Sequence, residues 1–167
     1  MQNINSLLQK GSKLLSKNLI KSSKIDSEIL LSYVLNSNLK NLILNHSLKI
    51  NENHVKTYKK LIHRRRLGEP VAYILNKKEF WKYNFYVDRN VLIPRPDTET
   101  IIEETLKIIT KDQKKSVLDI GTGSGCIIIT LAKERPNLYG SAIDISKKAL
   151  KVAKVNAKIH QLTNRIN

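Results

Sequence analysis

Asp119-Ile120-Gly121-Thr122-Gly123-Ser124-Gly125 is the stretch in which residue type and spacing point to chemistry. Glycines at alternate positions let a backbone turn sharply and let a ligand approach main-chain N–H groups with no Cβ in the way. Residues 117–120 are a short apolar run rich in β-branched residues, as a buried parallel strand requires. The apolar segment from Cys126 to Ala132 is long enough for a helix, whose positive end would face the same loop. Asp144 lies nineteen residues beyond Gly125 and closes a second apolar run, Ala142-Ile143. A carboxylate at the tip of a second strand is placed to accept hydrogen bonds from ribose hydroxyls.

The type of nucleotide-like ligand follows from the spacing. A dinucleotide fingerprint, Gly-x-Gly-x-x-Gly, would need glycine where Cys126 stands, and no Gly-Lys-Ser/Thr follows to make a P-loop. The spacing Asp-x-Gly-x-Gly-x-Gly from Asp119 to Gly125 instead resembles the first motif of class I S-adenosylmethionine-dependent methyltransferases. That resemblance implies S-adenosyl-L-methionine as cofactor, bound by Gly121, Thr122, Gly123, Ser124, Gly125 and Asp144. The competing reading is a Gly-rich turn that binds nothing; Asp144 in the right place weighs against it.

The elements that must position this loop are read from apolar periodicity. Residues 4–20 carry Ile4, Leu7, Leu8, Leu14, Leu15 and Leu19 at helical spacing, with Gly11 as a weak point. A second helix spans Asp26 to Leu35, a turn covers residues 36–41, and Leu42-Ile43-Leu44 forms a short further helical turn. Asn51 caps a longer helix to Arg66, which Gly68, Glu69 and Pro70 end. Val71 to Leu75 is a short apolar segment. Phe80 to Val87 holds five of the nine aromatics and reads as a β-hairpin turning near Lys82 to Asn84. After the stiff Pro94-Arg95-Pro96 link, Asp97 or Thr98 caps a helix that turns Ile101, Ile102, Thr105, Ile108 and Ile109 inward. Beyond the Gly-rich loop, Leu138 to Ile143 is the second strand, and Ser146 caps a last helix carrying Ala149, Leu150, Val152, Ala153, Ala157 and Ile159.

Composition bounds the function classes. The net charge is +16, with lysine outnumbering arginine 23 to 7 and aromatics at 5%. Specific nucleic-acid sites lean on arginine and stacked aromatics, so the charge reads as solvated surface. It could still favour an acidic or RNA-rich partner such as a ribosome-associated factor, and it allows ribosome association. The basic run ending in Arg64-Arg65-Arg66 reads first as helix-end structure and second as a grip on phosphates or an acidic protein partner. No run approaches a membrane span, and the start, Met1-Gln2-Asn3-Ile4-Asn5, lacks signal-peptide features. The lone Cys126 excludes an internal disulfide and fits a reducing cytoplasm. His46, His54 and His63 stand scattered among polar neighbours, without metal-ligand spacing.

Three stretches carry a wider resemblance. Residues 65–75 (Arg-Arg-Leu-Gly-Glu-Pro-Val-Ala-Tyr-Ile-Leu), then Lys78-Glu79-Phe80-Trp81, then residues 91–99 (Val-Leu-Ile-Pro-Arg-Pro-Asp-Thr-Glu) closely resemble the HemK/PrmC family. The loop from Leu118 to Gly125 matches too, as do Ala149-Leu150, Ala153 and Asn156-Ala157. Members of that family are N5-glutamine methyltransferases acting on peptide chain release factors. The resemblance implies an α+β chain in two parts: a small all-α substrate-recognition domain (residues 1–75), a β-hairpin linker (76–96), and the first part of a class I Rossmann-like methyltransferase domain (97–167). It also implies that Asp144 takes the ribose hydroxyls and that Asp119 assists near the ligand's amino group.

The family's Asn-Pro-Pro-Tyr signature, which orients the substrate amide, has no counterpart, since no Asn-Pro pair occurs in the sequence. The chain therefore reads as the N-terminal piece of a longer enzyme, by truncation, split gene or amputation of a fusion with a tRNA-directed methyltransferase. Only two strands of the parallel sheet are expected, and the fragment is expected to be inactive alone. The alternatives are a relative acting on a glutamine of a ribosomal protein, a non-catalytic module that binds release factor or cofactor, and, least favoured, a basic RNA-binding protein.

Overall fold

The computed structural model describes residues 2–167, apart from the side chain of Ile43; Met1, part of the N-terminal stretch read above, lies outside the described residues. The chain divides into two compact units, Met1–Leu75 and Asn76–Asn167.

The first unit is mostly helical. Helix α1 (Ile4–Lys17), α2 (Ser23–Val34), α3 (Leu39–Leu44), α4 (Glu52–Arg66) and α5 (Val71–Leu75) follow in order. Asparagine starts three of them: Asn3, Asn38 and Asn51 each accept a hydrogen bond from the N–H three residues on, at 2.8 Å. Each satisfies one donor that a helix N-terminus leaves without a partner. The unit is not purely α, because β1 (Gln2–Asn3) pairs antiparallel with β2 (Lys49–Ile50). A ladder of two residues per strand is too short to show alternation, so periodicity could not announce it. Ile4, Leu7, Leu15, Leu30, Leu31, Tyr58, Leu61 and Ile62 form its core, whereas Leu19, expected on the apolar stripe, lies past the end of α1 and is exposed.

Gly11 in α1 is a packing requirement. A Cβ there would stand 2.1 Å from the Tyr58 hydroxyl. That hydroxyl is buried, shares a 2.6 Å hydrogen bond with the Ser27 hydroxyl and donates to the Leu7 carbonyl at 3.3 Å. The pair ties α1, α2 and α4 together. Burial pushes the Tyr58 pKa up to about 12, against the opposing bond from Ser27. The basic helix end also serves structure. Arg64 grips Glu69 through two nitrogens at 2.6 and 2.7 Å, and Arg65 donates to buried Asp26 of α2 at 2.7 Å.

The second unit carries the loop. Strands β3 (Lys78–Phe80) and β4 (Tyr83–Phe85) form the hairpin, which turns at Trp81-Lys82 and not at Lys82–Asn84. Trp81 takes φ +59°, a left-handed value that a tight hairpin turn needs at its first central residue. No glycine signals it. Trp81 is held instead by its neighbours: its N–H donates to Glu99 at 2.7 Å and its indole N–H to Glu134 at 3.2 Å. Glu134 also accepts from the Tyr83 hydroxyl at 2.8 Å and from the Lys82 ammonium at 3.0 Å. Phe80 and Phe85, edge to face at 6.2 Å, sit in the core of this unit, so the hairpin is built into it.

A 3-10 turn (Pro96–Thr98) leads into α6 (Glu99–Ile108) without a side-chain cap from Asp97 or Thr98. Ile102 and Ile109 are buried as expected, but Ile101 and Ile108 are exposed. Arg135 caps the end of α6, donating to the Leu106 carbonyl at 2.6 Å and to the Ile109 carbonyl. Strands β5 (Lys115–Ile120) and β6 (Leu138–Ile143) are parallel, with Ile120 opposite Ile143, and are joined through α7 (Cys126–Glu134). Helix α8 (Lys147–Ile159) follows, with Ser146 as N-cap and Ile159 exposed. The parallel sheet has the two strands expected, β5 and β6; beside β6, Ile166 makes an isolated parallel bridge to Gly140, and the Gly140 and Ala142 N–H groups donate to the Arg165 and Asn167 carbonyls at 2.8 Å. Residues 165–167 thus lie along the edge of β6 opposite β5.

Candidate functional site

The loop between β5 and α7 is folded by its own backbone and glycines. The N–H groups of Gly121 and Thr122 donate to the Ile143 carbonyl at 2.8 and 3.0 Å, which ties the end of β5 to the end of β6. Gly121, Gly123 and Gly125 take φ of +78°, +55° and +79°, a region that costs a residue with a Cβ roughly 1–2 kcal/mol. Their surroundings differ. A Cβ on Gly121 would meet nothing within 4 Å, and one on Gly123 only the edge of the Gly121 carbonyl at 4.0 Å. On Gly125 it would meet Ile129 at 2.9 Å and Ala153 at 3.4 Å. The first two glycines therefore border open space, and the third admits the close approach of α8.

Asp144 stands beside this open part. One carboxylate oxygen accepts from the Gly123 N–H at 2.9 Å and the other from the Ser146 N–H at 2.8 Å. Each oxygen has a second lone pair, and Asp144 is half-buried, so the carboxylate can accept further hydrogen bonds from a ligand at the loop. Thr122 is buried and points back, its hydroxyl donating to Asp119 at 2.8 Å. Asp119 is thus brought to the loop but is partly spent on shaping it. Ser124 is also buried. The structure brings all six expected residues, Gly121 to Gly125 and Asp144, together at one end of the strands, and only Gly121, Gly123 and Asp144 have solvent access.

Cys126 opens α7 as a buried side chain whose thiol burial pushes up in pKa. A thiol kept protonated is a packing group, not a nucleophile. Asn156 of α8 carries more of the site than sequence reasoning assigned to it. Its side chain is fully buried and hydrogen-bonded to Ser124 of the loop and to Tyr86 beyond the hairpin. His160 was also missed: its imidazole bonds the Asn84 carbonyl at 3.0 Å and lies against Phe85. Burial lowers the His160 pKa, and the ammonium of Lys133 adds to the effect.

Comparison with known proteins agrees with this division. Residues 6–75 match the PrmC N-terminal domain, and residues 111–166 match a methyltransferase domain. The release factor glutamine methyltransferase of Coxiella burnetii is 43% identical over 144 residues, covering 86% of this chain and 52% of that protein. The protein of the same name from Buchnera aphidicola subsp. Schizaphis graminum is 40% identical, covering 97% and 58%. The bifunctional methyltransferase of Rickettsia felis is 36% identical, covering 98% and 36%. The chain spans about half the length of the release factor glutamine methyltransferases it matches. The first part of the chain thus matches the PrmC N-terminal domain and the second a methyltransferase domain, and across both parts the chain is similar to release factor glutamine methyltransferases.

Proposed function

We propose that this chain is the substrate-gripping and cofactor-holding part of a protein-(glutamine-N5) methyltransferase acting on peptide chain release factors. The observation that carries the reading is the loop itself: glycines whose missing Cβ atoms face open space, joined by a hydrogen bond to the carboxylate at the tip of the next strand. S-adenosyl-L-methionine fits that donor set. Gly121 and Gly123 let the ligand lie on bare backbone, and the spare lone pairs of Asp144 accept the ribose hydroxyls. The Asp119 carboxylate, oriented by Thr122, is the anionic group for the ligand's ammonium. When bound, the cofactor supplies a methyl group on a positively charged sulfur.

The helical unit, matched by the PrmC N-terminal domain, is the part that engages the release factor. The chain's other residues exclude water from the loop's base and hold its shape. They do not orient the glutamine amide, because no Asn-Pro pair is present to form the clamp that the family resemblance implies. The net charge of +16 suits work near the ribosome, without a specific nucleic-acid site. A substrate from translation termination and a lone cysteine fit the cytoplasm. Among the described residues no helix is long and apolar enough to cross a membrane.

Calorimetry on this chain tests the cofactor reading. S-adenosylhomocysteine is expected to bind, and Asp144→Ala to weaken it by about 1.5–3 kcal/mol as charge-assisted hydrogen bonds are lost. Binding of NADH with no heat from S-adenosylhomocysteine would reject the assignment. For the partner, immobilised chain should retain purified release factor; equal retention of an unrelated acidic protein would reject a specific interaction.

A further inference from the structure

Asn156 makes three hydrogen bonds from a side chain with no solvent exposure. Its Oδ1 accepts from the Tyr86 N–H at 2.7 Å, and its Nδ2 donates to the Tyr86 carbonyl at 2.9 Å and to the Ser124 carbonyl at 2.8 Å. Both partners are backbone groups that secondary structure leaves unserved. Tyr86 follows the last ladder residue of β4, and the amide of Asn156 pairs its N–H and C=O together, as a neighbouring strand would. The Ser124 carbonyl precedes the N-cap of α7, whose first helical bond goes to Gly125. Without Asn156 the Ser124 carbonyl would be buried and the Tyr86 N–H and carbonyl half-buried without this partner, which is costly.

The contact is not an isolated anchor. Ala153, one turn earlier on α8, lies against Gly125, which has no Cβ to keep it away. Helix α8 therefore meets the loop at two consecutive residues, Ser124 by hydrogen bond and Gly125 by close packing. Through Asn156 it also fixes the chain leaving the hairpin. The Ser124 carbonyl shares a peptide with the Gly125 N–H, which donates to the Thr122 carbonyl at 2.8 Å. That carbonyl in turn shares a peptide with the Gly123 N–H, the donor to Asp144, so rotation of the Ser124 peptide would release the bond that holds the Gly123 N–H in place.

We infer that Asn156 is a positioning residue for the loop, locking Ser124 to Tyr86 so that Gly121, Gly123 and Asp144 hold a ligand-ready arrangement before any ligand arrives. The inference rests on the S-adenosylmethionine reading above. It extends that reading to a residue that touches no ligand and acts through the loop. Preorganisation of this kind appears as affinity, because a loop already in its bound shape loses little freedom on binding.

The test compares Asn156→Asp with Leu162→Ala, a core variant in the same unit that lies outside the loop contacts. Asn156→Asp keeps the size and the acceptor for the Tyr86 N–H but loses both N–H donors. Each variant is measured for melting temperature, for S-adenosylhomocysteine affinity well below that temperature, and by amide ¹H–¹⁵N spectra. Asn156→Asp should weaken binding at least ten-fold and shift the Gly123, Gly125 and Tyr86 amides together. Leu162→Ala, at an equal or larger loss of melting temperature, should weaken binding less than three-fold. Equal weakening by both variants, or unchanged affinity in Asn156→Asp, would overturn the inference. If the unsubstituted chain binds no S-adenosylhomocysteine, the cofactor reading fails, and the spectra decide alone: coupled shifts at Gly123 and Tyr86 support the lock, and shifts at Tyr86 without the loop overturn it.

Discussion

Replacing single glycines of the loop by alanine should separate what the loop does for the fold from what it does for a ligand. Gly125→Ala forces a Cβ to within 2.9 Å of Ile129 and 3.4 Å of Ala153, at φ +79°. Ile129 is buried and meets that Cβ through its Cδ1, and the Ala153 contact involves atoms fixed to the α8 backbone. The left-handed backbone costs about 1–2 kcal/mol and the overpacking about 1–3 kcal/mol. Gly121→Ala carries the same backbone cost at φ +78°, but its Cβ meets open space. Both substitutions also stiffen the unfolded chain by a similar few tenths to about 1 kcal/mol, which cancels between them. The difference in stability should therefore be the packing component, about 1–3 kcal/mol. Urea unfolding followed by Trp81 fluorescence measures it, since Trp81 is the only tryptophan and sits in the hairpin of the same unit. For S-adenosylhomocysteine affinity the order should invert, because the Gly121 Cβ would occupy the space a ligand needs. Equal stabilities, or a Gly121→Ala variant that binds as well as Gly125→Ala, would refute this division of labour.

In the helical unit, Gly11→Ala should cost more than the clash alone. It displaces the Tyr58 hydroxyl from Ser27, adding about 1 kcal/mol for a lost hydrogen bond to about 1–3 kcal/mol of overpacking, measurable by far-UV circular dichroism in urea. Asp26→Ala leaves Arg65 without its buried partner and should destabilise by about 3–5 kcal/mol; Asp26→Ala paired with Arg65→Met should recover part of that loss. The Glu134 carboxyl is raised by burial, but the Lys82 ammonium and the Tyr83 and Trp81 donors outweigh burial and hold its pKa below the ordinary value of 4.5. A lowered folded-state pKa contributes stability above the unfolded value and loses it as pH falls through the folded one. Melting temperature should therefore drop below about pH 4.5 by more in the parent chain than in Glu134→Gln.

The strand, loop and helix around Gly121 to Gly125 were legible because each reports locally. An apolar β-branched run makes a strand, alternate glycines make a turn with left-handed residues, and a following apolar run makes a buried helix. The Asn51 and Ser146 caps were legible for the same reason, as a polar residue just before an apolar period has one common use. The hairpin turn was misplaced because Asn84 is the stronger local turn former, whereas the left-handed residue is Trp81. The carboxylates of Glu99 and Glu134, 18 and 53 residues away, hold that conformation. Ile101 and Ile108 went wrong differently. They fit the apolar period of α6, but the buried face is narrower and centres on Ile102.

Gly11 and Asn156 mark a limit that no local rule crosses. Glycine in a helix reads as weakness and asparagine in a helix as a poor helix former, and in isolation both readings are sound. Their value comes from atoms that arrive from elsewhere: the Tyr58 hydroxyl at Gly11, and the Tyr86 backbone at Asn156, 70 residues distant. In both cases a residue that costs its own helix stability relieves a larger cost in a neighbour, a buried hydroxyl or a pair of half-buried backbone groups that must be bonded. Residues that break a local rule inside a confidently periodic helix are therefore the positions where long-range contacts should be sought first. In α8, where Asn156 lies between the buried Ala153 and Ala157 on an otherwise apolar face, that search leads directly to the loop.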